Sequence, residues 1–287
     1  MIGGGPRRTW VYTLPASTGE GRAEKGSTMS LDGKVGVVTG GASGIGKAVV
    51  LALAQAGADV VIADLNEQAG PALASELEVA GRRGFFQRTD LSRREEARRL
   101  VEAAVDRFGR LDILVNNAGL QHVAPIQDFA EEKWDLLIDL MLTGPFLLTK
   151  YAFPHMVRHR FGRIINIASA HGLVASPFKA AYVSAKHGLL GLTKVIALEG
   201  AAHNVTAVSI CPGYVRTPLV TQQIADQARA HGISEQEVMD KVILVPQAIK
   251  RLLEPEEVAA MVVYLCSDWA SGVTGTHIAM DLGWTAH

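Results

Sequence analysis

Tyr182 and Lys186 stand four residues apart, so in a helix they share one face. Residues 164–194 around them read IINIASAHGLVASPFKAAYVSAKHGLLGLTK. Residues 164–168 are an apolar run of strand length, and Ser169 and His171 follow at its end. After a loop containing glycine and proline, a helical pattern begins near Lys179. A free tyrosine titrates near ~10, and moving that value by one pH unit takes ~1.4 kcal/mol. A lysine ammonium close to the phenol favours the phenolate, which predicts a lowered tyrosine pKa. Such a tyrosine can exchange a proton with an alcohol or carbonyl near neutral pH. Ser169 is placed to hold the same substrate oxygen by a hydrogen bond. Y-x-x-x-K alone is common as a surface pair on helices; its weight here comes from the serine upstream at a strand end and from motifs elsewhere in the chain.

The pattern upstream supplies a scaffold for these groups. Residues 35–39 predict a short apolar strand, followed by T-G-G-A-S-G-I-G at 39–46 and a helix to about Ala56. Strand, glycine turn and helix in that order suit a dinucleotide. Glycines let the backbone approach a pyrophosphate, and the helix N-terminus offers N–H groups and positive potential. The next strand, 58–63, ends at Asp64, where a carboxylate can accept from both adenosine ribose hydroxyls and repel a 2′-phosphate. Further strands are predicted at 84–88, 111–115, 164–168, 205–210 and 276–281, alternating with helices. The helical segments 133–142 and 145–159 are expected to be interrupted at Gly144-Pro145. Ser92 with Glu95 and Ser234 with Glu237 predict capping boxes. Pro255, Glu256 and Glu257 begin a helix. The alternation predicts an α/β, Rossmann-type doubly wound parallel sheet of about seven strands, with helices on both faces, in a single domain. Residues 218–250, expected to hold two helices, are where a substrate lid would be kept.

Bulk properties exclude several classes. The net charge of -1 gives no bulk attraction to nucleic acid or to an anionic membrane. There is no run of 18 or more apolar residues, so no membrane span is expected. The two cysteines, Cys211 and Cys266, do not make a disulfide framework, have no metal-ligand spacing and fit a cytoplasmic location. No metal is expected. Residues 1–28 are rich in Gly, Pro, Ser and Thr without helical or strand period and are expected to be a disordered extension before a catalytic domain over 29–287.

From about Leu31 to the C-terminus these motifs together resemble the short-chain dehydrogenase/reductase family. The resemblance implies Ser169, Tyr182 and Lys186 as catalytic residues. It implies a nicotinamide cofactor held by Gly40, Ser43, Gly44, Ile45 and Gly46 of the glycine turn, by Asp64, and by Asp90 and Leu91 near the adenine. Asn117 of N-N-A-G, Tyr182, Lys186 and the C-P-G-Y-V-R-T-P turn with Val215 and Thr217 complete that set. A basic residue at position 43 would often accompany NADPH; serine there and Asp64 together favour NAD. Within the family, Gln121, His171, Lys179, Gln223 and Trp284 resemble the set with which bacterial enzymes hold the carboxylate of D-3-hydroxybutyrate. Tyr214 stands beside them where those enzymes usually carry Trp, and Leu282 where they usually carry Gly. The implied reaction is reversible NAD-dependent oxidation of D-3-hydroxybutyrate to acetoacetate in a homotetramer. Alternatives are a 3-oxoacyl thioester reductase, a sugar or polyol dehydrogenase, or a non-catalytic NAD-binding protein.

One position departs from the family. Many members carry an asparagine in W-D-x-x-I-x-x-N, which helps retain a helix kink and a water joining the catalytic lysine to solvent. The segment here is W-D-L-L-I-D-L-M, with Met141 in that place. In an α-helix the N–H of residue 145 would bond the carbonyl of 141. Pro145 has no N–H, so the Met141 carbonyl is expected to be free to hold a water itself.

Overall fold

The computed structural model describes residues 29–286, apart from the side chains of residues 226, 227, 230 and 231; the expected extension at 1–28 and His287 lie outside the described residues. The short apolar runs form β1 (Val35–Thr39), β2 (Asp59–Asp64), β3 (Gly84–Arg88), β4 (Ile113–Asn116), β5 (Gly162–Ile167), β6 (Val205–Pro212) and β7 (Thr276–Met280). They join in one sheet of order β3-β2-β1-β4-β5-β6-β7, with every pair parallel. Every residue of β1, β4, β5 and β6 is buried, as a parallel sheet covered on both faces requires.

The helices α1 (Gly44–Gln55) and α9 (Pro255–Cys266) share one core with one face of the sheet, through residues such as Leu53 and Val262. On the other face, α3 (Arg94–Phe108), α5 (Gly144–His159) and α6 (Ala180–Gly200) pack through Leu100, Leu148 and Ile196. α2 (Ala69–Val79) lies against β3 through Leu73 and Leu77. α7 (Pro218–His231) and α8 (Glu235–Val238) form a smaller core of their own around Ile224, Val238 and Ile243. The strand order reverses between β1 and β4, and a crevice opens there at the carboxyl ends of the strands, where ligands bind in folds of this kind.

Two local expectations need correction. Ser92 and Glu95 form no capping box: the Ser92 hydroxyl donates instead to Asp90 Oδ1 at 2.6 Å, and α3 starts from Arg93 without a side-chain cap. Ser234 and Glu237 do form one, and Glu254 with Glu257 form another at α9. Gly144-Pro145 does not interrupt the helix. α4 (Glu131–Ile138) runs into α5 through a π-helical segment, Asp139–Thr143, in which the Gly144 N–H reaches back five residues to the Asp139 carbonyl. Widening the turn absorbs the proline, whose missing N–H would break a regular ladder. The continuous helix Glu131–His159 is long and apolar enough by composition to cross a membrane, with a mean hydropathy of 1.4. Its apolar side is used instead inside the protein, through buried Leu137, Met141, Leu148, Ala152 and Met156.

Candidate active site

The glycine turn closes β1 onto α1 in a shape that side chains would fill. Gly40 and Gly44 have φ of +61° and +50°, the left-handed region that favours glycine. A Cβ on Gly46 would stand 1.9 Å from the Gly40 carbonyl oxygen, so only glycine lets α1 start this close to the turn. Asn117 braces the turn from β4: its Nδ2 donates to the Thr39 carbonyl at 2.9 Å and to the Gly40 carbonyl at 3.2 Å. Thr39 Oγ1 in return accepts the N–H groups of Asn117 and Ala118 at 2.9 and 3.0 Å.

The crevice beyond the turn has a volume of about 640 Å³. Gly40, Ser43, Gly44 and Ile45 line it at the turn, and Asp64, Asp90 and Leu91 line it along the ends of β2 and β3. Asn117, Val215 and Thr217 line its far side, and Ser169, Tyr182 and Lys186 stand at its inner end. Gly46 is the expected cofactor residue absent from the lining; its part is in the packing of α1. Both Asp64 oxygens are held by the backbone, Oδ2 accepting from the Ala42 N–H and Oδ1 from the Asn66 N–H, each at 3.0 Å. The carboxylate is thus fixed at the edge of the crevice. Among the described residues lining it, Lys186 is the sole lysine and there is no arginine. A glycine cradle, a helix N-terminus and a fixed acceptor match the shape and donor pattern of a dinucleotide.

At the inner end, Ser169 follows β5 and is buried, with its Oγ accepting from the His171 N–H at 3.1 Å. That bond leaves the Ser169 O–H free to donate. Lys186 is 5 % exposed, and its Nζ donates to the Ile167 carbonyl at 2.7 Å. Burial lowers the Lys186 pKa to about 8. The Tyr182 phenol moves opposite to expectation. Burial pushes it up, and the hydrogen bond from Ser169 only opposes this. The lysine sits 5.5 Å from the Tyr182 ring centroid, but removal of the phenol from water dominates.

His171, Lys179, Tyr182, Tyr214 and Trp284 come together. The His171 ring meets Tyr182 edge-on at 6.0 Å and Trp284 edge-on at 5.1 Å. Tyr214 stacks on Trp284 at 5.4 Å, and Lys179 Nζ lies 6.0 Å from the Tyr214 ring. Lys179 is 9 % exposed and pairs with no carboxylate among the described residues; burial lowers its pKa. Gln121 Oε1 accepts the His122 N–H at 3.1 Å, and Gln223 sits half-buried on α7.

Sequence reasoning missed two contacts here. The Ile167 carbonyl that receives Lys186 is backbone and has no residue-type signal. Ser176, whose Oγ is 2.8 Å from His171 Nε2, lies in an irregular loop without spacing to flag it. The Met141 relay also changes. Its side chain is buried with Leu137, Ala181 and Ala185, and a side chain on Gly119 would meet its sulfur at 3.3 Å. With the Gly144 N–H on Asp139, the same five-residue register sets the missing Pro145 donor opposite Leu140 rather than Met141.

His171 gives a measurable consequence. Burial first, then the charge of Lys179, lower its pKa to about 4 from 6.5. The unfolded chain therefore binds one more proton than the folded chain between those values, and stability falls as pH drops from 6.5 to 4. This costs roughly 2–3 kcal/mol at about pH 4.5. Urea unfolding at about pH 7 and 4.5 should show the loss in the wild type and most of it removed in His171→Gln; equal losses in both would place the acid-sensitive group elsewhere.

A doubly wound sheet with a dinucleotide crevice that ends at a tyrosine, a lysine and a serine defines a class of nicotinamide-dependent oxidoreductases. The family model for short chain dehydrogenase matches residues 34–228, and the chain belongs to that family. It is 48% identical over 256 residues to the D-beta-hydroxybutyrate dehydrogenase of Rhizobium meliloti (strain 1021), covering 88% of this chain and 99% of that protein. It is 44% identical over 260 residues to the D-beta-hydroxybutyrate dehydrogenase of Cupriavidus necator, covering 89% and 99%. Among solved structures it is similar to gox2181, with a TM-score of 0.82 and 31% identity over 90% of this chain and 98% of that one.

Proposed function

We propose that this protein is an NAD-dependent dehydrogenase of D-3-hydroxybutyrate, working reversibly with acetoacetate. The observation that carries the substrate is Lys179, a buried lysine with no carboxylate partner among the described residues, 6.0 Å from the Tyr214 ring that stacks on Trp284. A buried cation without a counter-charge is unfavourable until an anion arrives, and a small carboxylate fits that need. His171, held neutral, and Trp284 and Tyr214 shape the pocket, favouring a short chain. Bound NAD supplies the hydride acceptor. Tyr182 takes the proton of the substrate hydroxyl, Ser169 donates a hydrogen bond to the same oxygen, and Lys186 holds its ammonium beneath the phenol. The two relatives named as hydroxybutyrate dehydrogenases support the same substrate. Residues 29–287 are the catalytic unit in this reading, with 218–250 as a lid over the crevice. Cytoplasmic placement and a homotetramer complete it, supported by family resemblance and by two free, buried cysteines; light scattering on the eluted protein tests the oligomer.

The test is a panel of D- and L-3-hydroxybutyrate, butan-2-ol, a sugar alcohol and a 3-oxoacyl thioester, each with NAD(H) and NADP(H), followed by nicotinamide absorbance. D-3-hydroxybutyrate with NAD should be the best pair. Butan-2-ol, which keeps the alcohol and lacks the carboxylate, should be poor; if it is turned over equally well, Lys179 does not read a carboxylate. Cofactor preference rests on Asp64. In the wild type its charge would face the 2′-position of a bound dinucleotide, so NADP should be disfavoured by about tenfold to a hundredfold, the scale of a lost charge-assisted contact. Asp64→Ala should bring the two kcat/KM values together. Equal wild-type efficiency with both cofactors would remove Asp64 from the selection.

A further inference from the structure

Four polar side chains lie inside the sheet and beneath α6. Asn116, Asn166 and Ser209 are direct register partners on β4, β5 and β6, so they stand side by side on one face. They are 3 %, 0 % and 0 % exposed, and Thr193 of α6, which closes over them, is 1 % exposed. Asn116 Nδ2 donates to Asn166 Oδ1 and Asn166 Nδ2 donates to Thr193 Oγ1, both at 2.8 Å. Thr193 Oγ1 donates to the Leu189 carbonyl at 2.8 Å and lies 2.7 Å from Ser209 Oγ. A hydroxyl has one donor and two acceptor sites. With Ser209 donating, all three at Thr193 are used.

Burial alone does not call for this network, since apolar side chains of similar size would fill the space. The network marks position. The strands β4, β5 and β6 are buried on both faces, so their apolar pattern distinguishes register poorly. A slip would strand three buried polar groups without partners, which is costly. The network also reaches the catalytic helix. α6 is tied to β5 at two points: Lys186 Nζ on the Ile167 carbonyl, and Thr193, seven residues on, on Asn166. Seven residues are two turns, so both ties lie on one helix face. At its other end, Asn116 precedes Asn117, which holds the Thr39 and Gly40 carbonyls of the glycine turn.

The structure assigns Thr193 as a positioning residue for the reaction. Through Asn166 it fixes the axial position and rotation of α6, and thereby the placement of Tyr182 and Lys186 against Ser169. Displacement of a catalytic group by a fraction of a turn is chiefly a rate effect, because the glycine turn, Asp64 and most of the crevice are carried by other elements.

Thr193→Val keeps the shape and removes the hydroxyl. It should lower kcat about tenfold to a hundredfold while changing the KM for cofactor little, and move the Tyr182-dependent limb of the pH–kcat profile by about half a pH unit. Thr193→Ser should restore both. Rates are read on the alcohol that the wild type turns over best, so the result does not depend on that substrate being hydroxybutyrate. Wild-type kcat and pH profile in Thr193→Val, whatever its melting temperature, overturn the assignment, as does a serine variant no better than valine. If Thr193→Val does not fold, Ser209→Ala decides. A kcat reduced about threefold with a moved pH limb supports the role, and an unchanged kcat and profile overturn it.

Discussion

Tyr182→Phe should yield a protein that folds and binds dinucleotide but loses turnover by about a thousandfold or more, within the range of a lost general acid–base group. The substitution keeps the ring, so its edge-on contact with His171 and its packing against Met141 and Ala185 survive. What it removes is the oxygen proposed to exchange a proton with the substrate. The direction in which the phenol's pKa moves adds a second reading. Burial raises the Tyr182 pKa above its usual 10.0, so the resting group carries its proton at neutral pH. A protonated phenol is the acid needed for ketone reduction; alcohol oxidation needs the phenolate. Oxidation by the wild type should therefore keep accelerating as pH rises from neutral toward 10.0, the value that burial raises, while reduction does not. A Phe variant with more than a tenth of wild-type kcat, or identical pH dependence in the two directions, would remove Tyr182 from the proton transfer.

Lys179→Met should raise the KM for D-3-hydroxybutyrate about tenfold to a hundredfold, because a hydrogen bond to a charged group is worth roughly 1.5–3 kcal/mol. kcat should change little if the carboxylate is held equally in ground and transition states. Activity on butan-2-ol should be unaffected. The same variant should melt at a higher temperature than the wild type in the absence of ligands. Burial lowers the Lys179 pKa, so at neutral pH the folded chain carries a charge it would hold more easily unfolded. The sign follows from linkage. Between the lowered folded value and 10.5 the unfolded chain binds more protons, so this lysine's penalty fades as pH rises toward 10.5. Methionine of similar length removes the penalty at every pH. An unchanged KM, or a variant less stable at pH 7 and not at pH 10, would show that Lys179 serves the fold.

Much of the fold was legible because its signals are local. Period-two and apolar runs mark strands, T-G-G-A-S-G-I-G marks a turn with backbone φ that only glycine adopts easily, and Y-x-x-x-K marks one helix face. Those spacings hold whatever surrounds them, so the seven-strand parallel sheet and the crevice at Gly40, Asp64 and Tyr182 followed. Signals of pairing between neighbours were less dependable. Ser92 and Glu95 had the spacing of a capping box, but α3 starts one residue later, from Arg93, and the serine hydroxyl donates to Asp90 instead. Gly144-Pro145 looked like a break, but packing on the sheet keeps the helix going through a wider turn.

The sequence by itself determined the class: a Rossmann-type dehydrogenase domain with a serine, a tyrosine and a lysine at the end of a dinucleotide crevice. The tertiary structure alone decided the electrostatics and the company each group keeps. Whether Tyr182 titrates above or below 10.0 depends on how much water its surroundings exclude, and no spacing encodes that. Lys179 without a counter-charge among the described residues, and Asn116, Asn166, Ser209 and Thr193 in one network, are facts of distance between residues far apart in the chain. Desolvation and hydrogen-bond satisfaction are properties of a closed volume, and that volume exists only once the strands and helices have packed.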